Sequence, residues 1–186
     1  MKGALSPPAM PPSALPPCYW LIFGCYEPLL ALCGLLGVLV NPKKVSSVLA
    51  AQAHDLQAPW PSGSVPEGQL SLATRVTMLQ LAHVVGLLGL INVFVLWAAR
   101  KHLFSQPALQ EKVAGALLTP LLVGDFVHVS ITWWALGDAR WDFTSWSGML
   151  WATFLTGFSL MIPRIAWHLG IGRYVDRRDG QAHRRF

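Results

Sequence analysis

The sequence predicts an all-α integral membrane protein, a four-helix bundle of transmembrane spans. Three observations carry this. Only 12% of the 186 residues are charged and 53% are hydrophobic, whereas a soluble domain is nearer a quarter charged. Four apolar runs reach the roughly 20 residues needed to cross the hydrocarbon core: Cys18–Val40, Val76–Ala98, Val113–Leu136 and Gly148–Leu169. Nine tryptophans are available to mark the membrane interfaces.

Backbone groups in lipid must be satisfied within the segment, so each span is expected to be a helix. The spans define one membrane domain, residues 18–169. A disordered Pro-rich lead, residues 1–17, precedes it, and a basic tail, residues 170–186, follows. No small-residue cleavage pattern follows the first apolar run, which reads as an uncleaved anchor. Cys18, Cys25 and Cys33 all fall in that span, where they read as small packing residues rather than disulfide partners. None pairs with a His or Cys at metal-site spacing, so neither a metal nor another cofactor is expected.

The first loop, Asn41–Arg75, is rich in Pro and Gly and is expected to hold at most a short turn at Val45–His54. Gly86 and Gly89 in span two, like Gly34 and Gly37 in span one, are candidates for close helix approach. The second loop, Ala99–Lys112, is short and basic. The third, Gly137–Ser147, adds Trp141 and Trp146 to an outer aromatic belt with Trp133, Trp134 and Trp151. Tyr19, Trp20, Trp97 and Trp167 would form the opposite belt.

Charge sets the orientation. Lys2, the second loop (Arg100, Lys101, Lys112) and the tail (Arg173, Arg177, Arg178, Arg184, Arg185) outnumber the cations of the first and third loops (Lys43, Lys44, Arg75, Arg140) by nine to four. Both termini are therefore expected in the cytosol. The basic tail reads as an orientation signal with attraction to anionic lipid. No basic face interleaved with aromatics points to nucleic acid. The endoplasmic reticulum is the default location, with no retention motif behind it.

Two acids lie near span centres, Glu27 in span one and Asp125 in span three. Each costs about 2.5–3.5 kcal/mol on insertion scales, so a partner and often a function is expected. Spans one and three run in the same direction, which places both acids at one depth. Asp125 and His128 share a helix face, as do Gln80 and His83. An apolar site favours the neutral carboxyl form, which can deliver a proton, and an imidazole can relay one. Carboxylates beside aromatic faces also stabilise a carbocation. The same groups would bind an amine-bearing ligand without chemistry. The bland alternative pairs Asp125 with His128 or Arg164 as a helix lock and lets Glu27 accept from Tyr or Trp. Arg164 can also snorkel to the cytosolic surface. Asn92, on a different face from His83, reads as packing.

Certain motifs resemble an uncharacterised fungal family of small four-span membrane proteins. They are Pro16-Pro17-Cys18-Tyr19, Tyr26-Glu27-Pro28, Gly34, Val123-Gly124-Asp125-Phe126-Val127-His128, Trp141, Trp146 and Arg164. The resemblance covers most of the chain outside the first loop and the tail. It implies a multi-pass protein of filamentous fungi linked to specialised metabolism, and it brings no established activity. A weaker architectural similarity, carried by Glu27, Asp125 and the tryptophans, is to the emopamil-binding and sigma-2 receptor group, which places acids and aromatics around a lipid-accessible pocket.

The leading reading is a small membrane protein that binds a hydrophobic metabolite or lipid and carries out acid–base isomerase or cyclase chemistry on an isoprenoid-type substrate. Asp125 would be the proton donor or cation stabiliser, Glu27 the second acid and His128 the relay. His83, Gln80, Trp133 and Arg164 would contribute to ligand binding. The alternative is a non-enzymatic membrane scaffold or assembly subunit, in which the polar groups only lock helices. A transporter is a third option and ranks below both, because four spans would have to oligomerise to enclose a path.

Overall fold

The computed structural model describes residues 13–40, 72–144, 146 and 148–180. The expected turn at Val45–His54 lies outside them. The chain is all-α, with no strand among the described residues. Four long helices carry it: α1 (Pro17–Val40), α2 (Leu72–His102), α3 (Pro107–Ala135) and α4 (Gly148–His168). Three are long and apolar enough to cross a membrane: α1, the Leu79–His102 part of α2, and α3. In the most apolar stretch of α3 only 11% of residues are buried. The remainder is an apolar surface that lipid can cover.

The helices outrun the apolar patterns. The second loop shortens from Ala99–Lys112 to the four residues between His102 and Pro107. Pro107 starts α3 because its missing N–H costs nothing at a first helical position. The part of the third loop that follows α3 forms a 3₁₀ turn, Gly137–Trp141, entered through Gly137 at φ +55°.

Glycine brings α1 and α2 together. A Cβ on Gly86 would lie 2.8 Å from Leu35, and one on Gly89 would lie 2.9 Å from the Ala31 methyl. At Gly89 the backbones can meet only without a side chain, whereas at Gly86 the tip of Leu35 would have to move. Gly34 behaves differently: a Cβ there meets nothing within 4 Å.

The aromatic belts are only partly interfacial. At the end expected to face outward Trp133, Trp146, Trp151, Phe143 and Phe154 gather into a cluster between α3 and α4, while Trp134 stays 76% exposed. On the other end Tyr19 and Trp167 leave the expected belt for the core. They pack with Leu15, Phe23, Leu96, Ala114 and Leu118. Their polar atoms find backbone partners there, which removes the reason to stay at the headgroups: Tyr19 Oη donates to Ile171 O and Trp167 Nε1 donates to Ala14 O.

The folded unit also extends beyond 18–169 at both ends. In the expected disordered lead, Ala14 and Leu15 are buried. Gln110, buried on α3, holds them: its Oε1 accepts from Ser13 Oγ, Ala14 N and Leu15 N, and its Nε2 donates to Ala99 O. The start of the basic tail folds back beside it. The Arg173 guanidinium lies 3.9 Å from the Trp167 ring centroid and donates to Glu111 Oε1. The tail then closes in a π-helical turn, Asp176–Gly180. Arg184 and Arg185 lie outside the described residues.

In that turn Asp179 accepts from Arg178 and from Val175 N, which holds its carboxyl below the usual carboxylate range. A depressed folded-state pKa gives stability that is present above the unfolded value and lost as pH falls through the folded one. We therefore expect the turn to loosen below about pH 4. Amide exchange at Val175 checks this; protection that stays constant through acid would show that the bonds do not hold the turn.

Candidate functional site

The local sequence prepares the site on each helix. In α1, Pro28 has no N–H and its ring crowds the carbonyl four residues back, at Gly24. The backbone opens into a π-helical stretch, Trp20–Tyr26, immediately before Glu27, a feature that often accompanies functional sites. In α4, Pro163 directly precedes Arg164, and in α3 Pro120 lies five residues before Asp125. Each charged group thus follows or adjoins a break in the helical ladder.

Arg164 decides the arrangement. Its side chain is 1% exposed and donates through Nη1 to Asp125 Oδ2 and through Nη2 to Glu27 Oε1. One guanidinium from α4 therefore joins a carboxylate of α1 to a carboxylate of α3. The expected snorkelling to the cytosolic surface does not occur, because two opposite charges nearby offer Arg164 more than the interface does. The Phe23 ring lies 5.7 Å from its guanidinium carbon. Its carbonyl is bonded to His168 Nδ1 at 2.8 Å. Arg164 Nε and Glu27 Oε2 are buried with no hydrogen-bond partner among the described residues.

Glu27 does not accept from Tyr26, whose hydroxyl turns to Ser159 Oγ at 3.1 Å. Asn92, read from sequence as packing, is 1% exposed and presents its side chain to Glu27. A lone Asn on an apolar helix is expensive in lipid, and that cost was the available clue to a polar neighbour.

Beside the triad lies a cavity of about 290 Å³, lined by Glu27, Asp125, His128, Thr153 and Thr156 together with apolar residues of all four helices, Gly34 among them. His128 therefore shares the site with both acids. His83 does not: it lines a separate apolar groove of about 410 Å³ between α1 and α2, with Gly24, Cys25 and Pro28. Gln80 is exposed on α2. Trp133 belongs to the aromatic cluster between α3 and α4. Cys18, Cys25 and Cys33 are free thiols on exposed positions of α1. Among the described residues no three His, Cys, Asp or Glu side chains group so as to hold a metal ion.

Residues 12–174 match a family described as a domain of unknown function (DUF7704). The chain belongs to the DUF7704 family. The match takes in the triad, the cavity and both terminal attachments. No curated protein matches the chain, and no solved structure does. The DUF7704 assignment thus carries the fold region and leaves the chemistry to the site.

Proposed function

We propose that this DUF7704 protein is a four-span membrane protein, with α4 as the fourth span, that binds a hydrophobic metabolite or lipid in the cavity beside Glu27, Arg164 and Asp125. The observation behind this is the cavity itself: a polar wall of paired charges inside an otherwise apolar, lipid-facing bundle. A few placed polar groups in an apolar hollow are the usual form of a small-molecule site. Both termini would be cytosolic, since Ser13 and the tail sit by the basic α2–α3 turn, and the endoplasmic reticulum is the proposed location.

Any chemistry there differs from simple proton donation by Asp125. A carboxylate engaged by a guanidinium is an acceptor. The pair suits stabilisation of positive charge in an isoprenoid-type isomerisation or cyclisation, with His128 on the cavity wall as the relay.

Gly34→Leu tests the site. A Cβ at this position meets nothing within 4 Å and Gly34 lines the cavity, and loss of a helical glycine adds up to about 1 kcal/mol of helix propensity. In lipid nanodiscs, a photoreactive dodecanol should label the cavity wall of the wild type. Labelling should fall about tenfold in Gly34→Leu, because a filled hollow cannot take the probe. Equal labelling in the two proteins would remove the cavity as the site.

A second reading, a scaffold or assembly subunit, has its own support: a single guanidinium ties three helices. It predicts no cavity labelling and a stoichiometric protein partner lost when Glu27 becomes Gln.

A further inference from the structure

The charges at the cavity do not balance. Arg164 contributes one positive charge; Glu27 and Asp125, when both are ionised, contribute two negative ones, and a proton kept on either acid is the competing way to balance the set. Asn92 faces Glu27 but is neutral. A net charge held at membrane depth is costly and calls for a partner. The position left for that partner is specific. Glu27 Oε2 is buried, accepts no hydrogen bond among the described residues, and belongs to a residue of the cavity wall.

The size of the hollow points the same way. At about 290 Å³ it lies at the lower limit of small-molecule sites, roughly 300–1,000 Å³. It can take a head group and the first part of a chain. The rest of an amphiphile would leave between helices whose outer faces are apolar, such as that of α3.

We propose that the ligand is a cationic amphiphile: a single protonated amine seated against Glu27 and Asp125, with its hydrocarbon part running out into the bilayer. This rests on the reading of the cavity as a ligand site. An ammonium group has three donors and no acceptor. Glu27, Asp125 and Thr156 line the wall, and each side chain carries acceptor oxygens. A phosphate or carboxylate head would add to the excess negative charge. A neutral alcohol would leave it uncompensated. His128 is the other titratable side chain on the wall, and its imidazolium is the competing source of the missing charge.

The test uses the full chain in nanodiscs of zwitterionic lipid and two photoreactive dodecyl probes that differ only in the head, a primary amine or an alcohol. At neutral pH the amine should label the cavity with an apparent Kd about tenfold lower, as charge-assisted hydrogen bonds are the stronger ones. Glu27→Gln should bring the two probes to equality while alcohol labelling persists, which also shows that the variant is folded. His128→Gln should keep the preference. Equal labelling of wild type by both probes overturns the charge proposal and leaves the cavity reading standing. A preference that appears only in His128→Gln also overturns it, because the imidazolium would then fill the role. Failure of both probes to label the wild-type cavity overturns the two together.

Discussion

Arg164→Met is expected to cost more stability than any other change at the site, about 3–5 kcal/mol. The side chain is buried and serves both Glu27 and Asp125. Its removal leaves two carboxylates close together at membrane depth without a counter-charge, and an unpaired buried charge costs far more than the pair contributes. Arg164→Lys should recover only part of the loss, since an ammonium is a point charge and cannot reach two acids with a planar fork. Triple replacement with Glu27→Gln and Asp125→Asn should recover most of it, because the penalty belongs to the stranded charges. Thermal melting in detergent, followed by the elution profile on size exclusion, reads all three. An Arg164→Met protein that melts with the wild type would mean that the acids find other partners.

Much of this site was legible, and the unread part has a physical cause. Two acids in apolar runs stand out by composition alone, and helical rise places Glu27 and Asp125 at one depth. Arg164 was visible as a candidate partner, yet its position late in the last apolar run allowed snorkelling. Only tertiary packing shows that α4 carries it level with the acids. The prolines were a readable signal: Pro28 and Pro163 adjoin the charged residues, and each removes a backbone donor from the helical ladder beside them. The separation of His83 and Gln80 from the acids was not legible for a different reason. Periodicity reports that two residues share a face, and it does not report which neighbour that face meets. His83 faces the α1–α2 groove, a pairing fixed by Gly86 and Gly89. Tyr19 and Trp167 misled in the same way. An amphipathic ring near a span end satisfies the belt rule, but a backbone acceptor from the lead or the tail satisfies its polar atom equally well.

Trp167→Ala should release both ends of the chain together. The ring is 3% exposed and forms part of the core cluster. Its N–H bonds Ala14 O at 2.9 Å, and its face carries the Arg173 guanidinium. Truncating a buried Trp costs about 3–5 kcal/mol. Here the loss also strands a backbone acceptor and removes a desolvated cation–π contact of about 2 kcal/mol. Tryptic cleavage after Arg173 should quicken because that guanidinium loses its seat, and amide exchange at Ala14 and Leu15 should quicken with it. Trp167→Phe separates the contributions: it keeps a ring under Arg173 and loses the N–H bond, about 1 kcal/mol, together with the packing of the indole's second ring. Faster cleavage after Arg173 with Ala14 still protected would assign the lead to Gln110 alone. In that case the two ends would be independent attachments, and nothing at the tail could be transmitted to the lead through Trp167.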